Sequence, residues 1–182
     1  MNIPHFLESI HKGQKRKTGE NYTSHLYAVR DILAEEGVCE KTILNSALLH
    51  DVLEDGGISK EYLSFRFGEK VSAIVEAVSK DTSWNTAYCK TKSYLDSIES
   101  SLAEHPESVL IKMADRLHNL RTIDGFSLKK KKEYLNETKE CFIPLFEAVI
   151  RDTKIGTLKK ALESLLKKLR NEVRLIEYRL SV

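Results

Sequence analysis

Breakers of regular structure are scarce in this chain, with 8 glycines and 3 prolines among 182 residues. So few turn-formers argue against a strand-and-turn fold and favour long helices. Long apolar runs are missing too. No stretch approaches the roughly 18 residues that a membrane helix needs. The N-terminal apolar stretch is interrupted by His5 and Glu8, which excludes a secretory signal. Cysteine is limited to Cys39, Cys89 and Cys141, an odd and widely spaced set with no C-x-x-C pair. Three reduced thiols in a cytoplasmic protein are the expectation. Neither sign of charge prevails, since Lys+Arg 29 against Asp+Glu 27 leave a formal +2. A chain so near neutrality carries no global electrostatic footprint for nucleic acid or for an anionic membrane, and neither is expected as a partner. What is present, 41% hydrophobic and 31% charged residues, suits one globular domain over residues 1–182.

Helical periodicity fills most of the chain, and the predicted fold class is all-α, a bundle of about eight to ten helices. A short helix near 3–11 has Pro4 in its first turn, where a missing N–H costs nothing. KGQKRKTGE (12–20) reads as a basic loop. A helix over about 21–36 carries Leu26, Val29, Ile32 and Leu33 at three- and four-residue spacing. The next is predicted over 40–54, followed by one capped by Ser59 and stopped by Gly68, and another over 70–79. DTSWNTAYCK (81–90) reads as a connection, with helices near 91–104 and 106–122 beyond it, the latter opened by Pro106. A helix from Ser127 to Phe142 should kink or break at Pro144. The last helix, about 157–180, carries Leu158, Leu162, Leu165, Leu169, Val173, Ile176 and Leu180 as one stripe. That stripe suits packing on the chain's own core, with pairing to a second copy in a homodimer as the alternative.

Two segments combine an apolar lead-in with a dense polar end. In ALLHDVLED (47–55) a core helix delivers His50, Asp51, Glu54 and Asp55 together. On a continuous helix Asp51, Glu54 and Asp55 share one face, where like charges repel by about 0.2–0.5 kcal/mol per pair in water and by more when desolvated. A bound divalent metal would remove that repulsion and account for the adjacent imidazole. In IKMADRLHNLRT (111–122), Asp115, His118, Asn119 and Thr122 also share a face. Asp115 is a candidate ligand, with an ion pair to Arg116 or Arg121 as the plain alternative. His118 suits a supporting position better than a ligating one. Asn119 and Thr122 offer neutral hydrogen bonds to a base or sugar. Spacing alone leaves His25 a helical histidine with Tyr22 on the same side, and His5, His11 and His105 read as surface residues. The Lys129–Lys132 run reads as a solvated helix start. Lysines there oppose the helix dipole, however, which makes a phosphate partner worth testing.

Together RKTGENYTSH (16–25), LLHDVLED (48–55) and IKMADRLHNLRT (111–122) resemble the signature segments of the hydrolase half of RelA/SpoT proteins, HD-domain phosphohydrolases. The resemblance covers about residues 5–150 and includes ETKECFIPL (137–145). It implies an HD-domain helical bundle with four metal ligands, His25, His50, Asp51 and Asp115, holding Mn²⁺. It implies Glu54 and Asp55 as the acidic pair that orients or deprotonates the attacking water. Arg16 and Lys17 would cradle the guanine base and nearby groups, and Asn119 and Thr122 would bind the nucleoside. The implied activity is that of a guanosine-3′,5′-bis(diphosphate) 3′-diphosphatase. Such an enzyme hydrolyses the 3′-diphosphate of the alarmones ppGpp or pppGpp to GDP or GTP and pyrophosphate. An HD phosphohydrolase for another nucleotide, such as NADPH, is the alternative. No nucleotidyl-transfer segment follows within the 182 residues, so a single-domain small alarmone hydrolase is expected. Two positions depart from the family pattern: Leu26 replaces a proline after the first histidine, and Phe142 stands where a tyrosine is usual.

Overall fold

The structure is a computed structural model that describes residues 2–55, 57–79, 105–153 and 156–181, without the side chains of Asp55, Asp152 and Thr157. The predicted connection 81–90, the helix near 91–104 and Cys89 lie outside the described residues. Ten α-helices are seen among the described residues: α1 Ile3–Ile10, α2 Thr23–Glu35, α3 Lys41–Leu49, α4 Val52–Asp55, α5 Lys60–Phe67, α6 Glu69–Val78, α7 Glu107–Arg121, α8 Leu128–Glu137, α9 Ile143–Asp152 and α10 Gly156–Ser181. The fold is all-α, as predicted. The nearest thing to a strand among the described residues is one isolated bridge between Lys15 and Asn21, which pinches the basic loop.

Helix α7 is the axis of the molecule. It packs against α2, α3, α6 and α10, and every residue from Ser108 to Leu117 is buried. A helix enclosed on all sides is normally apolar throughout. This one buries Lys112, Asp115 and Arg116, each of which then requires a partner. One apolar cluster surrounds α7, α9 and α10, and a second lies between α1, α2, α3, α5 and α6. The α10 stripe faces inward: Leu162, Leu165 and Leu169 are fully enclosed by the chain's own core. The local signals held at α5, where the Ser59 side chain accepts from the Tyr62 N–H and Gly68, at φ 94°, ends the helix.

Two predicted helices differ. The helix predicted over 40–54 divides. The His50 ring donates from Nδ1 to the Ala47 carbonyl at 2.8 Å, competing for the oxygen that a continuing helix would offer to residue 51. Asp51 therefore stands in the junction, and the three acids do not lie on one continuous helix. Near Pro144 the helix does not break. A π-helical turn over Thr138–Phe142 joins α8 to α9, and the Ile143 N–H reaches back five residues to the Thr138 carbonyl. The wider turn accommodates a proline ring that an α-helical turn would press against the preceding carbonyl.

Candidate metal centre

Two helix ends and the middle of a third helix converge at one pole of the bundle. His25 comes from the first turn of α2, His50 and Asp51 from the α3–α4 junction, and Asp115 from the middle of α7. Asp51 is half-buried and the other three are buried. His25 Nε2 lies 3.2 Å from Asp115 Oδ1 and 3.7 Å from Asp51 Oδ2. His50 Nε2 lies 3.2 Å from Asp51 Oδ2 and 3.9 Å from Asp115 Oδ1. Ligand atoms of His25, His50 and Asp51 all fall within 4.8 Å of one another. Two ligands each about 2.1 Å from a common ion stand at most about 4.2 Å apart, so the four separations suit one shared cation. His50 Nε2 is the telling atom, because it is buried and makes no aligned hydrogen bond. Two imidazole nitrogens and two carboxylates form a mixed N/O donor set compatible with first-row divalent metals.

Each of these groups is fixed from behind. The Tyr22 hydroxyl donates to Asp51 Oδ2 at 2.6 Å, and its ring stacks on His11. His25 Nδ1 meets His118 Nδ1 at 2.8 Å. A His25 that ligates through Nε2 must carry its proton on Nδ1 and donate it to His118, which fixes the tautomer. Asp115 accepts from Asn119 Nδ2 at 2.6 Å on Oδ1, while Lys112 stands 3.1 Å from Oδ2. The Asp115 partner is therefore Lys112. Arg116 turns away to Glu137 and Thr138, at 2.7 Å each, with its guanidinium over the Phe142 ring.

The electrostatics follow from that crowding. Burial opposes ionisation of Asp115, yet the Lys112 ammonium and the His25 ring hold its carboxyl well below the usual carboxylate range. Burial likewise opposes charge on Asp51, and His50 beside it holds the carboxyl low. For His50, burial acts to lower the pKa, but the charges of Asp51 and Asp115 outweigh it and raise it to about 9. Burial dominates at His25 and lowers it despite Asp115. His118 falls to about 4 through burial and the neighbouring His25 and Arg16.

A cleft of about 350 Å³ adjoins this pole, lined by the basic loop, Tyr22, Asn119, Thr122, Phe126 and one face of α8. Arg16 donates to Asn119 Oδ1 at 2.7 Å and to Thr122 Oγ1 at 3.2 Å. Asn119 thus bridges the base of the cleft and the metal centre with its two ends. Lys17 also lines the cleft and is exposed. Glu54 lies exposed on α4, and the Asp55 side chain lies outside the described residues. His11, expected at the surface, is buried beneath Tyr22. Phe142 lies under Arg116 rather than among the cleft-lining residues, so the tyrosine hydroxyl missing there concerns the core.

Sequence reasoning missed the roles of Tyr22, Lys112 and Gly125. A signal existed for Lys112, a charge embedded in an apolar helix three residues before an acid. Gly125 carries no such signal. A Cβ there would stand 3.0 Å from Lys17 Cβ, so the glycine is what lets the basic loop seat against the turn after α7.

Comparison with known proteins identifies the family. The family described as "HD domain" matches residues 5–149. The chain is 35% identical over 143 residues to a Synechocystis protein named probable guanosine-3′,5′-bis(diphosphate) 3′-pyrophosphohydrolase, covering 77% of this chain and 19% of that one. It is 40% identical over 140 residues to the Aquifex aeolicus guanosine-3′,5′-bis(diphosphate) 3′-pyrophosphohydrolase, covering 77% of this chain and 20% of the relative. The chain thus spans about a fifth of the length of these curated relatives. A solved structure described as "A metazoan ortholog of SpoT hydrolyzes ppGpp and plays a role in starvation responses" superposes with a TM-score of 0.71 at 25% identity. That match covers 91% of this chain and 92% of the other.

Proposed function

The chain belongs to the HD-domain family, and from that premise we propose that it is a metal-dependent hydrolase removing the 3′-diphosphate of ppGpp or pppGpp. One observation carries the reading: four buried or half-buried ligands meet directly behind Tyr22 and Asn119, which line a cleft together with Arg16 and Thr122. The names of the Synechocystis and Aquifex relatives, and the ppGpp hydrolysis described for the metazoan SpoT ortholog, support the substrate.

His25, His50, Asp51 and Asp115 hold a divalent ion, with Mn²⁺ the choice that suits this donor set and the family. The bound ion supplies a lowered pKa for the attacking water and polarises a phosphoryl oxygen. Glu54, with Asp55, takes the proton from that water as it attacks phosphorus. The bond from phosphorus to the ribose 3′-oxygen breaks. That oxygen leaves as the 3′-hydroxyl of GDP or GTP after gaining a proton, and pyrophosphate departs. Arg16 and Lys17 cradle the base, and Asn119 and Thr122 hold the nucleoside. Asn119 also keeps Asp115 oriented through its second amide end. Tyr22 fixes Asp51, and His118 fixes the tautomer of His25.

The test is direct. Metal-stripped protein is incubated with ppGpp, with and without Mn²⁺, and the products are resolved. GDP and pyrophosphate are expected only with the metal, and their absence in both arms rejects the reading. NADPH as a competing substrate separates the alternative, since a strong preference for it would reassign the substrate.

A further inference from the structure

His11 closes α1 and is 4% exposed, and no step of the hydrolysis uses it. Its two ring nitrogens are unequal. Nδ1 donates to Gln14 Oε1 at 2.6 Å, whereas Nε2 is buried with no hydrogen-bond partner among the described residues. A buried nitrogen left unsatisfied is unfavourable, and a phenylalanine ring would avoid it. What the histidine adds over an apolar ring is the bond to Gln14.

Gln14 is the neck of the basic loop. Its carbonyl accepts from the Tyr22 N–H at 3.1 Å, and its own N–H donates to the His11 carbonyl at 3.0 Å. Beyond it Lys15 bridges to Asn21, and the Arg16 N–H donates to the Glu20 carbonyl at 2.8 Å. The Arg16 side chain then reaches Asn119 and Thr122. The face of the same His11 ring lies on Tyr22, with centroids 4.9 Å apart and planes 24° from parallel. Tyr22 is the residue whose hydroxyl donates to Asp51. One imidazole thus grips the loop by its edge and the support of a metal ligand by its face. The two grips are chemically separable, since the edge acts through a single N–H and the face through ring area.

We infer that His11 is a positioning residue with two independent actions. Its Nδ1–H fixes the neck of the loop that presents Arg16 and Lys17 to the nucleotide. Its ring face fixes Tyr22 and, through Tyr22, the metal ligand Asp51. The first action rests on the function proposed above, and the second needs only the metal centre.

Two substitutions divide the ring. His11→Phe keeps the face and removes the N–H. His11→Asn keeps an N–H donor close to the place of Nδ1 and removes the face. Mn²⁺ affinity is measured by calorimetry on the metal-stripped proteins, and KM and kcat for ppGpp at saturating Mn²⁺. Loop order is read from the rate at which trypsin cuts the folded protein after Lys15, Arg16 or Lys17. His11→Phe should bind Mn²⁺ as wild type does, raise KM about fivefold and be cut several-fold faster, the scale of one neutral hydrogen bond. His11→Asn should weaken Mn²⁺ binding about tenfold, as loss of the support behind a ligand does, with KM and cleavage near wild type. Gln14→Leu, at the half-buried far end of the bond, should repeat His11→Phe. At saturating metal kcat should hold in all three. General loosening of the fold cannot produce such a crossed pattern. Equal losses of metal affinity and KM in His11→Phe and His11→Asn, or no change in either, overturn the inference. Should a His11 variant fail to fold, Gln14→Leu decides, and wild-type KM and cleavage in that protein overturn the inference. A wild type that releases no pyrophosphate from ppGpp rejects the hydrolase reading alone, and the same crossed pattern in Mn²⁺ affinity and trypsin cleavage still supports or overturns the role of His11.

Discussion

At the metal centre Asp51, His25 and Asp115 are each held by a neighbouring side chain and His50 by a backbone carbonyl, whereas the lysines of the cleft, Lys15 and Lys17 from the 12–20 loop and Lys130 from α8, are exposed. The first region assembles charges that would be costly to bury singly and balances them in pairs. Removing one partner there leaves a buried charge uncompensated, at about 3–5 kcal/mol. The second region relies on long side chains whose loss alters contacts with a ligand and little else. The two should therefore respond differently to substitution, the centre through metal and stability, the cleft through KM.

Substitutions can break that contrast. The largest effect is expected from Asp51→Ala, which should abolish metal binding and lower turnover by about 10³-fold or more, given what a bound metal contributes. Metal titration alongside product release checks both. Glu54→Ala should keep the metal and slow turnover by about 10²–10⁴-fold, the usual span for a general base. A Glu54→Ala protein that no longer binds metal would show that the division between ligand and base is drawn in the wrong place. Tyr22→Phe removes one hydrogen bond to a ligand, and metal affinity should fall about 10–100-fold while the helical circular dichroism spectrum is unchanged. Gly125→Ala forces the Lys17–Thr18 backbone to give way by a few tenths of an ångström. KM should rise several-fold with metal affinity intact, and a loss of metal would mean that the two regions are coupled more tightly than the contacts indicate.

The smallest effect is a matter of protons. With its pKa raised to about 9 from an ordinary 6.5, His50 is protonated in the metal-free protein at neutral pH. A ligating imidazole is neutral, so metal binding at pH 7 should release close to one proton, read by calorimetry in buffers of different ionisation enthalpy. Affinity should climb as pH rises toward 9. The sign for folding is opposite. The stabilisation that the raised His50 gives the metal-free protein is complete below about 6.5 and lost as pH rises through about 9. The melting temperature of metal-free protein should fall across that window, and that of the loaded protein should not.

The contrast also explains what was legible in the sequence. Helix positions follow from periodicity and local caps, and Ser59, Gly68 and the α10 stripe sit where expected. His50, Asp51 and Asp115 were legible because they stand at the polar ends of apolar segments, whereas His25 follows a polar loop and was raised to a ligand candidate by the family resemblance alone; the fold brings all four together. The division after Leu49 was hidden, because it depends on a histidine ring competing for its own helix's carbonyl. Long-range pairings were hidden as well. Arg116 finds Glu137 and Thr138 more than twenty residues away, and no local spacing announces it. The cleft was half visible, as a basic loop and a lysine run that only the fold brings to one wall.

The π-helical turn at Thr138–Phe142 absorbs a residue. One residue of α-helix turns the chain by about 100°, and the wider turn takes up an extra residue with almost no added rotation, so α9 keeps the phase of an uninterrupted helix one residue shorter. Thr138 and Phe142 both reach Arg116 across it, while Phe146, Val149 and Ile150 on α9 still enter the core. Deleting a single residue between 139 and 141 would wind this stretch into continuous α-helix and leave those three side chains facing the core. Inserting a residue between Phe142 and Phe146 would instead turn them by about 100° and out of register, a contrast open to selection experiments.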